Sequence, residues 1–345
     1  MNDICSIYDV EYSVVEGFLR ENRVEKILIQ APDGLKKIVP CILNKVIDKN
    51  KYRVYVSSSP TYGGCDLALD EAIRLNVDLI IHIGHNEYPY LSIKPNIPVL
   101  YIPAYYNWKP GLDLINNIVE TLSRENVSSI GLVATIQHIR SINELSHYLE
   151  ERGFEVHIGK SDNPSLENGQ IIGCNYSSAS SIDKYVDAYI VLAGGMFHAI
   201  GLSLTTSKRV YGIDPYKNVV WTTREFVKKV IAKRMFLVSM LRNSGFRTIG
   251  LIIGLKPGQY RPSIIEYLIK LSEENNIEYY VIQTSELNND RLIAIDNALS
   301  LDVYVVTSCP RLPIDDLSDF YKPVLTPGEY VMVLNRACDK YIYPW

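Results

Sequence analysis

The chain has 345 residues, 47% hydrophobic and 21% charged, which supplies a large apolar core and argues against disorder. Its formal net charge of -4 excludes a general electrostatic pull toward nucleic acid or an anionic membrane. No apolar run approaches the roughly 18 to 20 residues of a membrane span, and Met1-Asn2-Asp3-Ile4 carries no basic leader, so a cytoplasmic protein is expected. Six cysteines are too few and too scattered for a disulfide framework, which a reducing compartment disfavours anyway.

In chain order the hydrophobic pattern repeats three times. Helical spacing over residues 10–21, 112–125 and 224–242 precedes buried β-branched runs at 26–30, 130–134 and 249–253. A further helix follows each run; in the first repeat Leu35, Ile38, Val39, Ile42, Leu43 and Val46 form one apolar stripe, and Pro40 makes that helix start late or bend. Second strands are expected at 52–57, 155–158 and 278–283, third strands at 78–83, 187–192 and 302–307, and fourth strands at 98–102, 209–213 and 323–325. Runs this apolar, separated by helices, indicate parallel strands covered on both faces. The expected fold is therefore α/β: three similar α/β/α domains, each with a mainly parallel four-stranded sheet, arranged around a shared central site. Their expected spans are 1–108, 109–220 and 221–345, the last including a C-terminal tail, with boundaries near Trp108-Lys109-Pro110-Gly111 and Val220-Trp221-Thr222.

Each repeat carries one cysteine at the carboxyl end of a strand. Cys65 sits in Tyr62-Gly63-Gly64-Cys65-Asp66, Cys174 in Ile172-Gly173-Cys174-Asn175 and Cys309 in Thr307-Ser308-Cys309-Pro310. Cys65 and Cys174 follow second strands, whereas Cys309 follows a third strand, where the other repeats carry Gly84-His85 and Gly194-Gly195. Ligands of open parallel sheets gather beyond these strand ends, so three thiolates aimed at one centre are expected. Helix starts at Asp66 and near Ser177 are expected to lower the pKa of the preceding thiol. Three thiolates without an evident fourth ligand fit a zinc site or a [4Fe–4S] cluster with one open iron, and the spacings match neither the CxxC zinc pattern nor a ferredoxin run. Three independently buried thiols are the competing reading.

The sequence resembles the archaeal diphthamide biosynthesis family that makes 2-(3-amino-3-carboxypropyl)histidine. The resemblance rests on Gln30-Ala31-Pro32-Asp33-Gly34-Leu35, Tyr62-Gly63-Gly64-Cys65-Asp66, His82-Ile83-Gly84-His85, Gly194-Gly195-Met196-Phe197-His198, Tyr211-Gly212-Ile213-Asp214-Pro215-Tyr216 and Lys256-Pro257-Gly258-Gln259, which together span nearly the whole chain. It implies a homodimer whose subunits each hold a [4Fe–4S] cluster on Cys65, Cys174 and Cys309. It further implies S-adenosylmethionine as substrate at the open iron, an external electron donor, and transfer of a 3-amino-3-carboxypropyl group to a histidine of translation elongation factor 2. The radical chemistry implied is not that of enzymes with a CxxxCxxC run, which this sequence lacks.

Further candidates lie at the same strand ends. Lys256 and Gln259 are expected to hold the carboxylate of S-adenosylmethionine, Asp33 and Gly34 its amine or ribose, and Gly194 and Gly195 to admit it close to backbone. His82, His85 and His198 are expected to orient substrate or relay a proton, with a structural hydrogen bond as the competing role. Tyr62 is expected to exclude water, while Cys5, Cys41 and Cys338 match no motif of the family and are expected to be buried or bystander thiols. No role for nucleic acid or membrane is expected. An iron–sulfur condensing enzyme or dehydratase of the quinolinate synthase type and a non-catalytic iron–sulfur partner subunit are the alternative functions.

Overall fold

A computed structural model describes residues 4–335 and 340–345, so the expectation for Cys338 lies outside the described residues. A short strand, β1 (Tyr8–Val10), leads into the helix Tyr12–Glu21. The first sheet follows, made of β2 (Lys26–Gln30), β3 (Arg53–Val56), β4 (Leu79–Ile83) and β5 (Val99–Ile102), all parallel in the spatial order β3-β2-β4-β5. Then β6 (Ala104–Tyr106) returns to pair antiparallel with β1. Tyr8 and Val10 are buried and Asp9 is exposed; that alternation makes the segment a strand, where the sequence pattern had placed a helix start at residue 10.

The second sheet contains β7 (Ser129–Ala134), β8 (Glu155–His157), β9 (Ala188–Leu192), β10 (Arg209–Asp214) and β11 (Val219–Thr222). It has five strands rather than the four expected, because β11 turns back antiparallel along β10. Val220-Trp221-Thr222 is thus an edge strand and not a linker; Asn218, at a φ of 55°, lets the chain reverse there. The third sheet is β12 (Thr248–Gly254), β13 (Glu278–Thr284), β14 (Val303–Val306) and β15 (Val324–Leu325), all parallel.

Each of the three larger sheets places its first four strands in the order second, first, third, fourth. In each unit the chain therefore crosses one way from the first strand to the second and the other way to the third. This creates a topological switch point between first and third strands, the place where a crevice opens beyond the carboxyl ends. The inner strands are buried runs such as Ile27, Leu28 and Ile29, or Ile190, Val191 and Leu192, covered by helices, whereas the edge strands β3 and β13 are partly exposed. Pro40 does bend its segment: a 3-10 turn over Asp33–Ile38 passes into the α-helix Val39–Lys45, with the proline in the first helical turn, where its missing N–H has no partner to lose.

Cys5 and Cys41 form a disulfide that ties the start of the chain to the helix Val39–Lys45. These are not the free bystander thiols expected from the sequence. Their pairing depends on β1 returning the first residues to the face of the first sheet, which spacing alone does not reveal. No helix among the described residues is long and apolar enough to cross a membrane.

Candidate functional site

The loops at the three switch points face one another. Cys65, Cys174 and Cys309 line one cavity of about 370 Å³, together with Gly64, His85, Gly194 and His198. The Cys65 loop is held from both sides. Gln30, at the end of β2, donates its amide N–H to the Asp66 carbonyl at 2.8 Å and accepts from the Ala68 N–H at 2.8 Å. Opposite, the loop after β12 crosses Cys65 so closely that the Gly258 N–H donates to the Cys65 carbonyl at 2.9 Å, and a Cβ at Gly258 would lie 2.6 Å from the Cys65 Cα. Only glycine permits that approach.

The thiols lie deep in the molecule yet face open cavity. Burial pushes the Cys65 thiol up to about 12 and the Cys309 thiol up to about 11, and raises that of Cys174. The expectation of thiols lowered by helix starts is therefore corrected. Asp66 opens no helix, the next one running Leu69–Leu75, and only a four-residue turn begins at Ser177, so desolvation outweighs any helix-end field. Hydrogen-bond donors favour the thiolates nonetheless. The Gln259 amide reaches Cys65 Sγ at 3.8 Å, and the Tyr88 hydroxyl lies 3.1 Å from Cys174 Sγ while accepting from Arg261 at 2.8 Å. Backbone N–H groups of Arg311 and Leu312 favour the Cys309 thiolate.

Sequence reasoning passed over Tyr88 and Arg311, and named Arg261 only as the end of a loop. All three belong to loops after first or third strands, and that position was the available signal. Arg311 is buried, pairs with Asp315 and donates to the Phe197 carbonyl at 2.6 Å, joining the Cys309 loop to the His198 loop. The C-terminal residues close the far side: the Tyr343 hydroxyl donates to the Gly173 carbonyl at 3.1 Å, and the Arg261 guanidinium stacks on the Trp345 ring at 4.0 Å.

His85 and His198 line the cavity, and His82 lies behind them, its Nε2 2.9 Å from His85 Nδ1. Burial lowers His85 to about 4 and His198 to about 3, so both rings are neutral at neutral pH. Gly194 lines the cavity, whereas Gly195 turns away at a φ of 68° and donates its N–H to Asp214. The other candidates sit elsewhere. Lys256 is committed to an ion pair with Asp66, and neither it nor Gln259 is on the cavity wall, because the loop over 256–259 presses against Cys65 instead. Asp33 is exposed and pairs with Lys36, whose ammonium also binds the carbonyls of Ser58 and Ser59; Gly34 lines a neighbouring chamber. Tyr62 is 66% exposed, a rim residue rather than a seal.

Among the described residues no three His, Cys, Asp or Glu side chains are grouped to hold a single metal ion. The three thiols surround a space rather than a point. That suits a polynuclear iron–sulfur cluster with cysteine ligands better than one zinc ion, which takes four donors at bonding distance.

Fold and site thus define a three-sheet α/β protein with one thiol per sheet at a common centre. The model of the diphthamide synthesis protein family matches residues 31–343, and the chain belongs to that family. It is 30% identical over 332 residues to the 2-(3-amino-3-carboxypropyl)histidine synthase of Pyrococcus horikoshii, covering 95% of this chain and 91% of the relative. The Methanocaldococcus jannaschii enzyme of the same name is 28% identical over 323 residues, covering 90% and 85%. A crystal structure of Dph2 from Pyrococcus horikoshii with a 4Fe–4S cluster superposes with a TM-score of 0.83 at 28% identity, over 97% of this chain and 93% of that one.

Proposed function

We infer that this protein is a 2-(3-amino-3-carboxypropyl)histidine synthase, the transferase of diphthamide biosynthesis. The observation that carries the reading is the convergence of Cys65, Cys174 and Cys309, each from a different sheet, on one cavity in a chain of this family. In this reading the three thiolates hold a [4Fe–4S] cluster, the group that the Pyrococcus crystal structure contains, and the three sheet units are three domains spanning 1–108, 109–220 and 221–345. S-adenosylmethionine is the donor and a histidine of translation elongation factor 2 the acceptor. The enzyme acts as a homodimer fed by an external electron donor. When bound and reduced, the cluster supplies the electron that breaks the bond from sulfonium sulfur to the methionine γ-carbon.

The chain's own residues provide the rest. Tyr88, Gln259 and the backbone at Arg311 donate to the thiolates and offset their burial. The Gly258 contact and the Lys256–Asp66 pair fix the Cys65 loop, so Gln259 and Lys256 position a ligand rather than grip the donor. His85, His198 and Gly194 face the donor directly, as neutral donors or acceptors and open backbone. Anaerobic reconstitution followed by iron quantitation, electron paramagnetic resonance and a single turnover with dithionite tests the reading. Methylthioadenosine and label on the elongation factor are expected, with little 5′-deoxyadenosine. Predominant 5′-deoxyadenosine, or a cluster retained in full without Cys174, overturns it.

A further inference from the structure

A second chamber of about 370 Å³ adjoins the cysteine cavity. The two share a wall formed by Tyr62, His85, Thr135, Gln137, Gly194 and His198. Beyond that wall the second chamber is lined by Tyr8, Pro32, Gly34, Leu35, His138 and Tyr216. Its rim is exposed, with Tyr62 66% and Tyr216 48% accessible, so a loop of another protein can reach it. None of its lining side chains carries a formal charge at neutral pH, since burial lowers His138 to about 4 and leaves its ring neutral.

Two lining rings, His138 and His198, have a buried Nδ1 without a hydrogen-bond partner, and His138 is the one that lies off the cysteine cavity. It is 1% exposed, and its Nδ1 is buried without a hydrogen-bond partner. A ring nitrogen left so costs free energy unless a ligand meets the ring or its function requires it. The ring is fixed edge-on between Tyr106 and Tyr216, at centroid distances of 5.7 and 5.2 Å. Tyr216 is in turn fixed by the Tyr8 hydroxyl at 3.2 Å. Asp214 lies close enough to favour a positive charge on His138, and its carboxylate accepts backbone N–H groups of Gly195, Tyr216 and Lys217. His138 lies in the 3-10 turn Ile136–Ser141 after the first strand of the second unit, as Gly34 lies in the turn Asp33–Ile38 after the first strand of the first.

We propose that this second chamber is the acceptor subsite: it receives a neutral imidazole side chain presented by the protein substrate, and His138 takes the proton that this imidazole loses. The proposal rests on the transferase reading above and deepens it. Replacing an imidazole C–H by a C–C bond releases one proton, while the donor's C–S bond breaks to give a neutral thioether, so the sum needs no net oxidant or reductant. A cationic sulfonium belongs beside the anionic thiolates of the first chamber. A neutral aromatic ring suits the uncharged tyrosine walls of the second. Through the shared wall the two reactants meet without crossing the protein surface.

The test uses cluster-loaded enzyme with S-adenosylmethionine, dithionite and the elongation factor, following methylthioadenosine and transferred label separately. His138→Asn is expected to leave donor cleavage and iron content unchanged while transfer falls on the order of a hundredfold, the range of a lost general base. Tyr216→Ala, at an exposed rim position, is expected to weaken binding of the elongation factor to metal-free enzyme about tenfold, with the KM for that protein raised alike. Wild-type transfer by His138→Asn overturns the proposal. So does an equal loss of donor cleavage measured without acceptor, which would place the donor in this chamber. If unaltered enzyme cleaves the donor but labels no protein, the transferase reading fails instead, whatever the variants do.

Discussion

At their amino ends the three sheets are closed in the same way. Asp78, Asp187 and Asp302 each stand one residue before the third strand of their unit, and each carboxylate accepts two successive backbone N–H groups where the first strand begins. The donors are Glu25 and Lys26 at 2.9 and 2.8 Å, Ser128 and Ser129 both at 3.0 Å, and Arg247 and Thr248 at 2.9 and 3.0 Å. At the carboxyl ends the three cysteines share no such placement. Cys65 arrives on a long loop after β3, Cys174 on one after β8, and Cys309 directly after β14. A repeat can stay uniform where its task is to start a sheet, but three copies facing a single centre must approach it from three directions and so cannot remain equivalent.

The largest effects are expected where the units differ. Cys65→Ala, Cys174→Ala or Cys309→Ala should each cost most of the bound iron and at least about a hundredfold in transfer, because removing one of three ligands leaves the cluster labile. Iron content and electron paramagnetic resonance after anaerobic reconstitution check this. Next comes Gly258→Ala. Its new methyl would meet Cys65 backbone and side chain at 2.6 Å, so the loop after β12 must retreat. A loss of about 1 to 3 kcal/mol in stability is expected, together with a lower iron content that Gly34→Ala, with open space around its Cβ position, does not reproduce. Equal iron retention in the two glycine variants would remove the case for a clamp on Cys65.

Cys41→Ala separates stability from chemistry. The disulfide closes a separation of 36 residues in the first unit, away from the cysteine cavity. Its loss should lower unfolding free energy by about 2 to 4 kcal/mol with iron content unchanged. Denaturant unfolding beside an iron assay reads both. A drop in iron that matched the ligand variants would connect Cys5–Cys41 to the site.

What was legible in the sequence follows the same division. The three repeats, the parallel strands in each and the convergence of Cys65, Cys174 and Cys309 could be read because buried parallel strands leave long apolar runs and sites gather at their carboxyl ends. Strand β1 was missed because three residues before an amphipathic helix read as its first turn. Strand β11 was missed because Trp221 and its neighbours lie beside turn residues at an edge. The thiol shifts were read with the wrong sign because burial is a property of three loops meeting, and no single loop displays it. His138 was passed over since its neighbours Tyr106 and Tyr216 are far from it in sequence, whereas Gln259 was given to the donor because nothing local shows that it reaches Cys65.

The smallest effect is expected where the units are alike, and it has a defined pH signature. Hydrogen bonds from Ser129 and Ser128 hold the Asp187 carboxyl below its ordinary value of 3.8, and backbone donors lower Asp78 and Asp302 in the same way. A depressed folded-state pKa means that the native state binds the proton less readily than the unfolded chain. The stabilisation is therefore fully present above the unfolded value and fades as the pH falls from there through the folded one. Asp187→Asn keeps the shape and one acceptor oxygen but removes the charge. A hydrogen bond to a charged group contributes about 1.5 to 3 kcal/mol, and at this exposed position solvent screening reduces the expected loss to about 1 kcal/mol. Urea unfolding should show that loss in full at about pH 7 and see it shrink as the pH falls below the ordinary value of 3.8, where the unfolded chain takes up the proton that the folded carboxylate still resists. Asp78→Asn and Asp302→Asn should behave alike, each through its own sheet. If Asp187→Asn lost the same amount at every pH, geometry and not charge would hold the amino ends, and the likeness of the three units there would be one of shape alone.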